Sequence, residues 1–106
     1  MSLYKGWQDA VIASGGTTSA AVDLQDDCEY LDIVIPTIDS ANVTIQVAEK
    51  GAGTFQGLGA NSPVIPAGLG DVSTTIKLGG WRYIKVVTSA AQTSGAVTFR
   101  VRGWRM

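Results

Sequence analysis

Apolar residues recur at every second position in five separate runs of this chain, and that period narrows the folds open to it. In YLDIVI, Leu31, Ile33 and Ile35 point one way while Tyr30, Asp32 and Val34 point the other. In NVTIQVAE, Val43, Ile45 and Val47 alternate with Thr44, Gln46 and Ala48. Ile76 and Leu78 flank Lys77, Ile84 and Val86 alternate with Tyr83 and Lys85, and Val97, Phe99 and Val101 alternate with Thr98, Arg100 and Arg102. Strand side chains flip face at each residue, so these runs are strands with one wet and one dry side. QDAVIA and AAVDLQ are two further, less regular candidates.

Turn-forming stretches separate the runs: SGGTTS, IPTIDSAN, GAGTFQGLGANSPVIPAG and TSAAQTSG. No stretch spaces its apolar residues helically over three turns. Short strands punctuated in this way predict an all-β chain, an antiparallel β-sandwich of jelly-roll or immunoglobulin-like type. The 106 residues suit one domain spanning 1–106, a size that buries roughly two-thirds of the unfolded surface. Charged residues are only 16% of the chain and hydrophobic ones 45%. Disorder needs the opposite balance, and so thin a charge coat suggests an exterior that meets another molecule.

Several chemistries are excluded or weakened. There is no histidine, the commonest general base and metal ligand, and a lone Cys28 excludes an internal disulfide and structural zinc. Beside CEYLDIVI, Cys28 reads as a small buried apolar residue. GAGTFQGLG places Gly51 and Gly53 as a dinucleotide loop would, but Gln56 stands at the third glycine's position and no helix can follow. Asp23, Asp26, Asp27, Glu29 and Asp32 crowd together, either as a solvated acidic turn or as oxygen ligands for calcium. A two-carboxylate glycosidase needs a cleft that a sandwich of this size hardly offers. We expect no enzyme and no cofactor. No apolar run approaches the ~18 residues of a membrane span and the N-terminus lacks a signal pattern, so neither a membrane partner nor a signal peptide is expected.

Charge is divided sharply along the chain. Residues 1–71 hold all nine acids against Lys5 and Lys50, a net of −7, and residues 72–106 hold six bases and no acid, a net of +6. If the last two runs form a hairpin about AAQTS, its outward ladder sets Lys85 opposite Arg100, Tyr83 opposite Arg102 and Trp81 opposite Trp104. Like charges so placed repel and call for acids nearby. Asp32 beside Lys85 is one source, and an acidic surface outside the chain, such as a second copy, is another. Trp81, Tyr83, Lys85, Arg100, Arg102 and Trp104 are therefore the candidate interaction surface. Rings beside guanidinium groups also suit sugars. Nucleic acid is disfavoured by the acidic balance and the lack of any binding-module signature.

The layout of these stretches along the chain resembles that of small β-sandwich virion structural proteins of tailed bacteriophages. The resemblance rests on the SAAVDL entry strand, Ser19 to Leu24, on Val43 to Phe55, on the GWRYIKV strand, Gly80 to Val86, and on Phe99 to Arg102. It implies a non-enzymatic structural module of a phage-like virion, a head decoration or a tail or fibre component. Such a module is made in the host cytoplasm, resides in the virion and contacts its own copies in a homo-oligomer or other virion proteins. It implies no site residues. Sandwiches of this shape also serve as carbohydrate-binding modules, so receptor or glycan recognition through Trp81, Tyr83 or Trp104 is the alternative expectation.

Overall fold

A computed structural model describes residues 3–51, 53–57 and 65–105. Its strands are β1 (Leu3–Tyr4), β2 (Gln8–Ile12), β3 (Val22–Ile35), β4 (Ala41–Ala48), β5 (Gln56–Gly57), β6 (Ile65–Gly68), β7 (Val72–Thr88) and β8 (Val97–Arg105). All pair antiparallel, along the path β1-β8-β3-β7-β4-β5, with β2 on β8 and β6 on β4. Every run expected from alternation is a strand or part of one. AAVDLQ and YLDIVI belong to the single 14-residue β3, and TTIKL and RYIKVV to the single 17-residue β7.

Those two long strands make the sandwich. Val22 and Asp23 pair with Ile84 and Tyr83, whereas Tyr30 to Ile35 pair with Lys77 to Val72. Between the two zones the register shifts on either side of the Cys28↔Trp81 pair: Leu24 to Asp27 stand against the single Arg82 on one side, and the single Glu29 against Leu78, Gly79 and Gly80 on the other. Gly79 and Gly80 take φ of 80° and 103°, backbone that only glycine adopts without strain, and in the β3 bulge on the other side of the Cys28↔Trp81 pair Gln25 takes φ of 72°. Bulges bend strands and increase their twist, so β3 and β7 turn a corner together. One half of the sheet is then β2, β8, the end of β3 and the start of β7. The other is the start of β3, the end of β7, β4, β5 and β6.

The inward faces of both halves form one core. Leu31, Ile33, Phe99 and Val101 from the first meet Leu24, Val43, Ile45, Ile84 and Val86 from the second, all fully buried. Cys28 is buried as expected, and burial, ahead of the nearby Asp26 charge, pushes its thiol pKa up. Gly103 lies against it, where a Cβ would overlap the Cys28 sulfur and crowd Leu24.

The expected terminal hairpin does not form. β3 lies between β7 and β8 and pairs with both. Alternation determined which side chains of β7 and β8 face inward, but a shared core face does not make two strands neighbours. Inserting β3, which carries Asp32, avoids the like-charge ladder that direct pairing would create. TSAAQTSG is thus a crossover between the two halves rather than a hairpin loop.

Two polar side chains pin that crossover. Gln92, 1% exposed, accepts from the Asp39 amide at 2.8 Å and donates from Nε2 to the carbonyls of Ala90 (3.1 Å) and Asp39 (3.3 Å). The Asp39 carboxylate accepts from the amides and hydroxyls of both Thr93 and Ser94, at 2.6–3.2 Å. Those bonds, the Ser94 hydroxyl's foremost, hold its pKa below the ordinary value.

Gly103→Ala should destabilise the fold by about 1–3 kcal/mol, the usual cost of overpacking a core. Urea denaturation of the two proteins checks this, and equal midpoints would show that Cys28 can give way.

Candidate functional site

The six residues expected to form one surface lie on two. Trp81, Tyr83 and Lys85 belong to the end of β7, beside β4, and Arg100, Arg102 and Trp104 to β8, beside β3. Lys85 faces Gln46 rather than Arg100, and Tyr83 faces Ala48 and Asp23 rather than Arg102. Trp81 faces Cys28 rather than Trp104. Trp104 faces Tyr4 and Tyr30, and its ring stacks on Tyr30 with centroids 4.4 Å apart.

The divided charge is resolved largely within the chain. Arg102 Nε donates to Asp32 at 2.8 Å and Arg100 Nε pairs with Asp9 at 3.0 Å. Arg82 grips Asp23 with two bonds of 2.7 and 3.0 Å, and Arg105 and Lys5 share Asp26. The acid expected beside Lys85, Asp32, partners Arg102 instead. Lys85 carries its ammonium 4.6 Å from the centre of the Phe55 ring. Each exposed pair stabilises little, but together they leave no bare cationic face on β8 to demand an outside acid.

Asp32 is the most enclosed of these carboxylates, its side chain 16% exposed. Besides Arg102 it accepts from Thr75 Oγ1 at 2.7 Å and Trp104 Nε1 at 2.9 Å. Burial alone would push its pKa up, but those hydrogen bonds outweigh it and the pKa falls below the ordinary value. At Asp23 the Arg82 hydrogen bond is the main cause of a similar lowering. Among the described residues no three acids or thiols stand close enough to hold a metal ion, and Asp23, Asp26 and Asp32 of the expected acidic cluster are engaged by arginines. The glycine-rich loop leads into β5, a strand, rather than into the helix a phosphate site requires. No helix of the described residues is long and apolar enough to cross a membrane.

A cleft of about 590 Å³ opens where the end of β4, the following loop and β5 approach Trp81, with Val47, Glu49, Lys50, Thr54 and Gln56 among its walls. The Trp81 ring packs partly against the core, which fixes it, and turns its remaining surface to the cleft. On the other half, Trp7, Asp32, Val34, Ser73, Thr75 and Arg102 border a shallower hollow of about 360 Å³. Trp81 was legible as a candidate, but Trp7 was not singled out. Extending the alternation of QDAVIA backward by one residue would have placed Trp7 on the outward face with Asp9 and Val11. The walls contributed by Glu49, Lys50 and Gln56 carry no sequence signal, because they depend on how the loop folds back.

No protein-family model matches the sequence, and no curated protein does. Solved structures do match in fold. A chitosan-binding module of a Paenibacillus sp. IK-5 chitosanase/glucanase superposes with a TM-score of 0.59 at 16% identity, covering 91% of this chain and 76% of that one. It is a β-sandwich of the same kind. The CBM32-1 module of a family 31 glycoside hydrolase from Clostridium perfringens gives 0.55 at 17% identity, over 89% of this chain and 75% of that one. YomS, an SPBc2 prophage-derived protein, gives 0.59 at 9% identity over 97% and 96% of the two chains. At such identities the likeness establishes the fold alone.

Asp32→Asn should lower stability by about 1–3 kcal/mol at neutral pH, since the half-buried donors of Arg102 and Trp104 lose a charged acceptor. A depressed carboxyl pKa contributes stability above the unfolded value, near 4, and loses it as pH falls through the folded value. The gap between wild type and variant should therefore narrow below pH ~4. A gap constant down to pH ~2 would show that ionisation of Asp32 does not matter.

Proposed function

We propose that this chain is a non-catalytic, glycan-binding β-sandwich module, with its binding site in the cleft beside Trp81. The observation that carries this reading is a core-backed indole opening into a cleft of about 590 Å³ with mixed polar walls. A pyranose ring has an apolar face of C–H groups, which suits an aromatic plane, and a rim of hydroxyls, which needs donors and acceptors. Trp81 supplies the plane, and Glu49, Thr54, Gln56 and Lys50 supply the polar partners. Because the ring is held by the core, little conformational freedom remains to be lost on binding. The fold shared with a chitosan-binding module and with CBM32-1 supports the same reading, as does the internal pairing of Arg100 and Arg102. That pairing removes the main electrostatic reason to expect subunit docking through β8.

A second reading, a structural subunit of a phage-like virion residing in the head, tail or fibre, is favoured by one observation. The prophage-derived YomS matches this chain nearly end to end, without the extra length of the glycan-binding modules. It implies contacts with further copies of the chain or with other virion proteins.

Titration with neutral, amino-sugar and uronate oligosaccharides, followed by tryptophan fluorescence, tests the first reading. Trp81→Phe should keep the fold and weaken binding about tenfold, and a glycan array without any hit ends it. For the second reading, sedimentation should show an oligomer at high micromolar concentration, whereas a monomer at both low and high salt counts against it.

A further inference from the structure

The face of the other half of the sheet carries a row of side chains that the cleft does not involve. Arg102 of β8 is directly opposite Asp32 of β3, which is directly opposite Thr75 of β7. Arg102 Nε and Thr75 Oγ1 both donate to the Asp32 carboxylate, at 2.8 and 2.7 Å. Trp7, at the end of the row, has its ring 4.8 Å from the Arg102 guanidinium carbon. Trp7 and Val34, each 40% exposed, frame the hollow of about 360 Å³ that these residues share with Ser73.

Two features are unusual for a face meant only for water. An indole and a valine are left open where alternation would put polar residues. The polar groups between them are locked to one another across three strands, so they keep one arrangement whether or not anything binds. Within the hollow the charge is compensated, since Arg102 is paired with Asp32, and beside it Arg100 is paired with Asp9. The exposed Lys77 stands one row beyond, opposite Tyr30. A charged ligand seated in the hollow gains little net attraction there. The matching ligand is neutral, with an apolar face for the indole and hydroxyls for the rim. Neighbouring strands lie about 4.8 Å apart, so four strands span roughly 14 Å, room for more than one sugar ring.

We propose that the Trp7–Arg102–Asp32–Thr75 face is a second binding surface, for a run of a neutral polysaccharide. Trp7 stacks on a pyranose ring, and the Ser73 and Thr75 hydroxyls bond to the sugar's own. The ligand class rests on the glycan reading above, but the surface does not rest on the cleft. With two surfaces on one rigid body, a long polymer is held more tightly than a short oligomer through the raised effective concentration of the second contact.

Amide chemical-shift mapping of the wild-type protein tests this, using neutral hexasaccharides of glucose, N-acetylglucosamine and mannose as probes. The expected result is two separate clusters of shifts, one at Val34, Ser73 and Thr75 and one at Gln56 and Gly57. Shifts at the first cluster should persist at high salt. Trp7→Ala should remove the first cluster alone and reduce retention on the insoluble polymer about tenfold. Shifts confined to Gln56 and Gly57 overturn the second surface and leave the cleft standing. Shifts confined to Ser73 and Thr75 overturn the cleft and leave this surface standing. Binding only of charged sugars at the Trp7 face, or none of any neutral sugar, overturns the proposal.

Discussion

The bend shared by β3 and β7 is the constraint from which the remaining architecture follows. A flat antiparallel sheet of these strands would leave its long apolar face in water. Bulging the two long strands on either side of the Cys28↔Trp81 pair, through Gln25 on one and Gly79 and Gly80 on the other, lets the sheet close over itself. Leu31 and Ile33 can then meet Val43 and Ile84 in one core. The corner also determines the neighbours. Once β3 runs through both halves it occupies the edge of β8 that β7 would otherwise take, and the crossover from Ser89 to Ala96 must pass between halves. The buried Gln92 and the multiply bonded Asp39 are what that crossing requires, since a connection at the end of a sandwich has backbone groups to satisfy without a ladder.

The charge distribution becomes intelligible from the same topology. An acid-rich first part and a base-rich second part look like a patch awaiting a partner when they are read as two segments. In the folded chain they are neighbouring strands. Asp9 of β2 and Asp32 of β3 lie on either side of β8, which carries Arg100 and Arg102. Asp23 meets Arg82 across the β3–β7 pairing zone. Polarity along the sequence is thereby converted into pairing across it.

Alternation made the strands and their buried faces legible in the sequence. Ile33, Ile45, Ile84, Phe99 and Val101 all face the core as their spacing requires, because facing depends on a residue and its immediate neighbours alone. Pairing is not local in that sense. Nothing in RYIKVV or AVTFRVR says that a third strand separates them, and the short loop between them made a hairpin the natural expectation. For the same reason the candidate surface was legible residue by residue and not as an arrangement. Trp81 borders a cleft and Arg102 a hollow, but on different halves. Trp104, which read as a free platform, is committed to Tyr30 and Asp32. The cleft itself depends on the loop after β4 folding back, and its glycines and small polar residues carry no periodic signal.

The two bent strands have a mechanical consequence. A sandwich whose layers are joined only by loops can shear or breathe, because its layers are separate plates. Here two continuous backbones run from one plate into the other and are hydrogen-bonded together on both sides of the fold line. The open faces of Trp7 and Trp81 are thus carried like the jaws of a fixed gauge, and the distance between them is a property of the backbone rather than of a flexible hinge.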